Sequence, residues 1–416
     1  MRALVFRYSV PRLAASKLAG AISPRGYFGP WSSLRLEDIP EPRLHGDDWA
    51  IVRTRLAGIC GSDAKQAFLR GDRDNPLTAL VSFPHVLGHE ALGVVERIGP
   101  AVRRVSPGQR VVLNPWLSCA PRGLSPACPA CERGDYMLCE RFTDGGLPPS
   151  IHLGNCAGAN GAFAERFAAH ESQLIPVPDG VSDEQAVLAD PFSVQLHALL
   201  RHPPRDGEPA LVYGCGTLGL LTVAMLRALH PGLPVWAVAR YPHQQRLARE
   251  LGAGELLPAE PSALVERVAA LTGARPLRPW SGRPWLMRGP GVVYDTVGSP
   301  ATVETALRVA APRATLVISG VEAPRRFEWT PLYFKEVRAA GSNAFGIETF
   351  EGERVHAFEA YFRLVARGLD LSSLITHRFP LGRYREAFVA MRDHNRSGAV
   401  KCVFAFDEGQ PANASA

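Results

Sequence analysis

Several absences bound this 416-residue sequence before any motif is read. No apolar stretch approaches the ~20 residues that a membrane-spanning helix needs, so a soluble, cytoplasmic protein without a membrane partner is expected. The basic start is followed by no uninterrupted apolar segment, which argues against a secretory signal. Charge of one sign is scarcely in excess: 46 Lys and Arg stand against 40 Asp and Glu, for a net charge of +6. The basic residues form no run and no amphipathic stripe, so a nucleic-acid partner is not expected. No internal repeat is found, which removes solenoids and propellers.

One local absence is double-edged. Met1 to Leu36 contains Arg2, Arg7, Arg12, Lys17, Arg25 and Arg35 but no acidic residue. A transit peptide is one reading. The reading favoured here makes Met1–Phe6 a first β-strand and residues 8–30 an inserted loop.

What is present indicates two domains, because a single core stops growing near ~250–300 residues. Up to about residue 170 the chain runs in short alternating segments broken by Gly and Pro, such as 49–56, 93–98 and 109–113, a β-rich, barrel-like pattern. From about residue 185 long helical stretches (183–201, 218–230, 243–251) alternate with apolar strands at 210–213, 235–239, 292–294 and 315–318. That rhythm predicts a parallel, doubly wound sheet. After about residue 345 the chain returns to short mixed elements. Segments 72–82 and 275–290 read as further insertions, and the tail from Asp407 as polar and frayed.

Gly214-Cys-Gly-Thr-Leu-Gly219 follows one of those strands directly and opens an apolar helix, the setting in which a Gly-x-Gly-x-x-Gly binds a dinucleotide. Gly214 permits the turn, Gly216 lets the backbone approach a pyrophosphate, and Gly219 allows close helix–strand packing. The free N–H groups opening the helix, at Thr217 and Leu218, then face phosphate. About 20 residues beyond Gly219, where an acidic residue would hold the ribose of NAD, stand Ala239, Arg240 and Tyr241. A guanidinium in place of a carboxylate favours NADP(H) over NAD(H), with Tyr241 near the adenine.

Of the eight cysteines, Cys119, Cys128, Cys131 and Cys139 fall within 21 positions, a clustering that points to metal rather than to disulfides. Cys60 (in Gly58-Ile-Cys-Gly-Ser-Asp63), His89 (in Gly88-His-Glu90) and Asp190 (before Pro191) supply the mixed donors of a catalytic zinc with one position open to a substrate oxygen. Glu90 is a fourth candidate, as a ligand or as a partner of one. Cys156, Cys215 and Cys402 have no spacing partner and read as packing residues, and Asp295 as structural.

Taken in order, these motifs, with Gly161-Ala-Phe-Ala-Glu165 and Thr376-His-Arg-Phe-Pro380, resemble the zinc-containing medium-chain dehydrogenase/reductase family over nearly the whole chain. The similarity leans toward its sorbitol, threonine and formaldehyde dehydrogenase branch, in which an acidic residue before Pro replaces a Cys ligand. The resemblance implies an α/β protein in which residues 1–192 form a GroES-like β-barrel completed by 346–416, and 193–345 form a Rossmann domain. It further implies two zincs per chain, the structural one on the four clustered cysteines, and a homodimer or homotetramer. Ser62 matches the family's proton-relay hydroxyl, whereas Lys65 stands where a His is usual. The activity implied is hydride transfer between an alcohol or polyol, or its carbonyl, and a nicotinamide cofactor. Two alternatives stay open: a metal-independent enone or quinone reductase of the same fold, and an inactive dinucleotide-binding redox sensor.

Overall fold

The computed structural model describes residues 1–71, 75–320, 322 and 327–406. The tail from Asp407, and residues 72–74 of the expected 72–82 insertion, lie outside them. The chain forms two compact units, 1–190 with 362–416, and 191–361.

The first unit is built on β1 (Arg2–Phe6), β2 (Leu34–Asp38), β3 (Trp49–Gly58), β4 (His85–Val86), β5 (Glu90–Ile98), β6 (Arg110–Leu113), β7 (Arg166–His170) and β8 (Leu174–Pro176). β1 lies between β2 and β4, with Leu4 opposite Leu36 and Val5 opposite Val86. The long β3 is the spine of the larger sheet: it pairs antiparallel with β5 from Ala50↔Ile98 to Gly58↔Glu90, and with β7. That register carries the ends of β3 and β5 to one place, so Cys60 and His89 emerge side by side.

The second unit contains β9 (Ala210–Tyr213), β10 (Val235–Val238), β11 (Glu255–Leu257), β12 (Val292–Asp295), β13 (Thr315–Ile318) and β14 (Arg338–Gly341), all parallel, in the order β11-β10-β9-β12-β13-β14. β9, β10 and β12 are buried at every residue, as continuous apolar strands covered on both faces should be. A hairpin of β15 (Ile347–Phe350) and β16 (Glu353–His356) follows. The chain then returns to the first unit, where β17 (Ile375–Pro380) pairs parallel with β18 (Lys401–Ala405), and β18 pairs with β3. The sequence sets this return at residue 346, but the compact unit continues to Tyr361. A 2.7 Å hydrogen bond between His197 Nδ1 and Glu348 Oε1, and a 4.5 Å ring contact between Phe192 and Tyr361, hold 347–361 to the helix Ala189–Arg201.

Two local expectations are revised. Residues 8–30 are not a loop: Val10–Ile22 is an α-helix and Pro24–Phe28 a 3₁₀ turn. Pro11 in the first turn and four alanines favour the helix. Its outward face carries Val10, Leu18 and Ile22, so apolar residues lie on both sides and no amphipathic period marks it. The stretch 183–201 is two helices, Asp183–Val187 and Ala189–Arg201. Pro191 causes the break, since its ring clashes with the carbonyl four residues back, at Val187. Within 275–290 the described backbone closes on itself through a bridge between Leu277 and Trp285. Among the described residues no helix is long and apolar enough to cross a membrane.

Candidate metal and cofactor sites

Cys60 ends the segment after β3 and is the N-cap of the helix Gly61–Ala67. Asp63, in the first turn, accepts a 2.9 Å hydrogen bond from the Cys60 N–H and presents Oδ1 3.6 Å from His89 Nδ1. Donor atoms of Cys60, His89 and Glu90 all lie within 4.8 Å of one another. Asp190, in the first turn of Ala189–Arg201, stays outside that grouping; it is buried nearby, where it feels the charge of Glu90 and His89. The structure therefore gathers three of the four candidate ligands and leaves Asp190 adjacent.

The electrostatics of this cluster are those of a site short of positive charge. Burial, then Glu90, pushes the Asp190 carboxyl up to about 8. Burial works against charge on His89, but Asp63 outweighs it and His89 is raised well above its ordinary value. The same attraction keeps Asp63 below the usual carboxylate range despite its burial. A cation among these groups would favour the ionised form of Asp190. Lys401, from β18, supplies one such charge by bonding Glu90 Oε2, and its Nζ also donates to the Ile59 carbonyl at 3.2 Å.

Cys119, Cys128, Cys131 and Cys139 form a second cluster, all as free thiols. The Sγ atoms of Cys119 and Cys139 are 3.7 Å apart, and those of Cys128 and Cys139 are 3.9 Å apart. A disulfide needs about 2.05 Å. Four thiolates around zinc at about 2.3 Å stand ~3.8 Å apart along a tetrahedral edge, which these separations match. Backbone N–H groups of Cys128, Glu140 and Arg141 point at the sulfurs of Cys119, Cys128 and Cys139 at 3.3–3.5 Å. Burial would raise the Cys128 thiol, yet N–H groups including those of Cys131 and Glu140 bring it down to about 7. The segment from Cys119 to Cys128 returns to the cluster through Arg122. Its buried guanidinium donates to the carbonyls of Leu117, Asp144, Leu147, Pro148 and Ser150, and to Ser150 Oγ.

In the second unit the glycine loop joins β9 to the helix Thr217–Leu229. Gly214 adopts φ +94°, which a side chain would strain, and a Cβ on Gly219 would collide with the Gly214 carbonyl oxygen. Nothing within 4 Å meets a Cβ at Gly216, so the loop is open where a phosphate would approach. Thr296 Oγ1 fixes the turn by donating to the Gly214 carbonyl at 2.9 Å. Asp295 accepts from the N–H groups of Val297 and Gly298 and from Thr302 Oγ1, a structural use of a buried carboxylate. At the end of β10, Arg240 is exposed and lies 5.7 Å over the Tyr241 ring, which stacks on His243.

Comparison with known proteins identifies the family. Residues 46–179 match the alcohol dehydrogenase GroES-like domain and 217–360 the zinc-binding dehydrogenase domain. A probable D-xylulose reductase A of Arthroderma otae is 30% identical over 69% of this chain and 73% of its own length. The chain belongs to the zinc-containing medium-chain dehydrogenase/reductase family. This oxidoreductase is also 25% identical to a sorbitol dehydrogenase of Bacillus subtilis, over 85% of its own length and 89% of the relative. The crystal structure of 2R,3R-butanediol dehydrogenase from Bacillus subtilis superposes with a TM-score of 0.69 at 27% identity, covering 90% and 96% of the two chains. A putative zinc-binding dehydrogenase from Sinorhizobium meliloti, bound to NADP, gives 0.66 at 27% identity, covering 89% and 95%.

Three residues of this dehydrogenase's first unit escaped sequence reasoning. Asp63 sat inside a quoted motif, but only the fold turns it toward His89. Lys401 is 311 residues from Glu90 and has no local signal. His152 lies with its ring centroid 4.6 Å from that of His89 and 6.1 Å from Trp116. Burial, and then the charge of His89, pushes its pKa down to about 3. Cys156, Cys215 and Cys402 are buried, the last two with thiols pushed up to about 12 by burial, as befits packing residues.

Proposed function

We propose that this protein is a zinc-dependent dehydrogenase that transfers hydride between an alcohol or polyol, or the corresponding carbonyl, and a nicotinamide cofactor, with NADP(H) preferred. The observation that carries the reading is the convergence of thiol, imidazole and carboxylate donors within 4.8 Å at Cys60, His89 and Glu90. A sulfur–nitrogen–oxygen set with a further carboxylate beside it suits a catalytic zinc, and the four clustered sulfurs suit a structural one. A metal-independent reductase would have no use for either set.

Zinc, when bound, supplies Lewis acidity that lowers the pKa of an alcohol, and the nicotinamide supplies the hydride acceptor. The rest falls to the chain. Cys60 and His89 hold the metal together with Glu90 or Asp190, while Asp63 orients the His89 ring through Nδ1. When Lys401 holds Glu90, Asp190 is the carboxylate left to serve. Ser62 and Lys65 sit three apart on the helix Gly61–Ala67, hence on one face, with Ser62 exposed and Lys65 half-buried. Ser62 Oγ takes the substrate proton, and Lys65 passes it to solvent. Gly214, Gly216 and Gly219 admit the pyrophosphate against the N–H groups of Thr217 and Leu218, Arg240 takes the 2′-phosphate, and Tyr241 flanks the adenine.

The protein is further proposed to be cytoplasmic and to work as a homodimer or homotetramer on a small-molecule substrate. The short, exposed edge strand β14 offers unpaired backbone to a second copy.

Cofactor-coupled absorbance over primary alcohols, secondary alcohols, polyols and β-hydroxy amino acids, with each cofactor, tests the reading. Turnover faster with NADP and abolished by a zinc chelator is expected, and Arg240→Ala should erase the NADP preference. Chelator-resistant turnover would refute the zinc role, and an unchanged cofactor ratio in the variant would refute that of Arg240.

A further inference from the structure

Resting on the reading of Cys60, His89 and Glu90 as the site where the alcohol reacts, we propose that His152 is a specificity-determining residue. Its Nε2 accepts a hydrogen bond from a second hydroxyl, on the carbon next to the one oxidised.

The argument begins with a tautomer. His152 Nδ1 lies 2.5 Å from the carbonyl oxygen of Leu153. A carbonyl oxygen can only accept, so Nδ1 carries the proton and Nε2 keeps its lone pair. The His152 backbone is fixed as well: its N–H donates to Asn155 Oδ1 at 3.2 Å, and Leu153 N–H donates to the Pro115 carbonyl at 2.9 Å. The ring is wedged between His89, with 39° between the planes, and Trp116, met edge-on at 73°. Position and tautomer are thus set before any substrate arrives.

Nε2 has no protein partner among the described residues, and His152 is half-buried rather than sealed. A fixed acceptor therefore belongs to a ring that packs 4.6 Å from a metal-ligand candidate and is itself only partly buried. That arrangement has a selective consequence. A substrate with a single hydroxyl displaces water from Nε2 and returns nothing, whereas a vicinal diol replaces that water with its own O–H. The imidazole gives no help to a carboxylate or phosphate at this position, because Nε2 carries no proton to donate. The class selected is neutral and bears a donor on the neighbouring carbon.

The test uses the matched pair 2,3-butanediol and 2-butanol with the full-length, zinc-loaded enzyme. Wild type should favour the diol in kcat/KM by about tenfold, the worth of one hydrogen bond. His152→Phe keeps a ring against His89 but removes the acceptor, and the ratio should fall toward one. His152→Gln, which can present an amide oxygen, should recover part of it. A second readout does not need turnover: ¹⁵N NMR of histidine-labelled, zinc-loaded protein should report protonated Nδ1 in His152 and an Nε2 resonance that moves with the diol but not with 2-butanol.

A preference that survives in His152→Phe overturns the proposal and points to chelation of the metal by both hydroxyls. A proton on Nε2 in the free protein overturns it too. If neither alcohol turns over with either cofactor, the dehydrogenase reading fails. The NMR titration then decides the subsite alone: a diol-specific shift sustains it, and none refutes it.

Discussion

Arg122 offers the sharpest test of how the four-cysteine lobe is built. Arg122 is only 3% exposed, and its guanidinium meets six acceptors, all neutral, with no carboxylate in direct contact among the described residues. Burial lowers its pKa, and the charge of Cys156, Cys139, Asp144 and Cys119 pulls the other way. Arg122→Met removes every donor and strands buried carbonyls of Leu117, Leu147 and Ser150. Hydrogen bonds from a charged donor contribute about 1.5–3 kcal/mol each, but six do not add, and the variant escapes the cost of burying the cation. Removing one partner from a buried charged network costs about 3–5 kcal/mol, the figure expected here. If the metal leaves through local opening of the lobe, that corresponds to release roughly 150 to 4,000 times faster. A chromogenic chelator competing for metal reads the rate directly, and Arg122→Lys, with three donors instead of five, should fall between. A change in release rate below about threefold in Arg122→Met would show that the cysteines hold the lobe unaided.

Other expectations follow from the same structure. Cys131→Ser should lose one zinc per chain, measurable by elemental analysis, and melt at lower temperature; unchanged metal content would refute the tetrathiolate. Lys335 is buried against the carbonyls of Leu286, Arg308 and Ala310, and burial followed by the charge of Arg308 lowers its pKa to about 7. Because the unfolded chain binds that proton more tightly, the stability from this group is complete above about 10.5 and is lost as pH falls to about 7. Thermal melts between pH 7 and 10 should therefore show a shallower pH slope in Lys335→Met than in wild type, and identical slopes would contradict the assignment.

How much of this was legible in the sequence depends on whether the signal was local. The parallel sheet was readable because β9, β10 and β12 are apolar at successive positions, and the glycine loop because its spacing is compact. The cysteine lobe was readable despite the long Cys119–Cys128 spacing, since thiol clustering survives an insertion. The helix Val10–Ile22 was not, because its solvent face is as apolar as its buried face. Nor was the choice between Glu90 and Asp190: both precede or follow recognisable neighbours, and only the pairing of β3 with β5 brings Glu90 into the donor cluster. Lys401 and His152 act across the fold, at separations that no spacing rule reaches.

The pairing of β18 with β3 has a consequence for how the protein is made. β3 leaves the ribosome some 350 residues before the strand that completes its sheet. Throughout that interval the second unit, contiguous from residue 191 to 361, can fold as an autonomous insert, while the first waits with an open edge and with Glu90 lacking its lysine. The donor group of Cys60, His89 and Glu90 can therefore form early through β3 and β5, but Glu90 gains the lysine that holds it only after translation has passed residue 401.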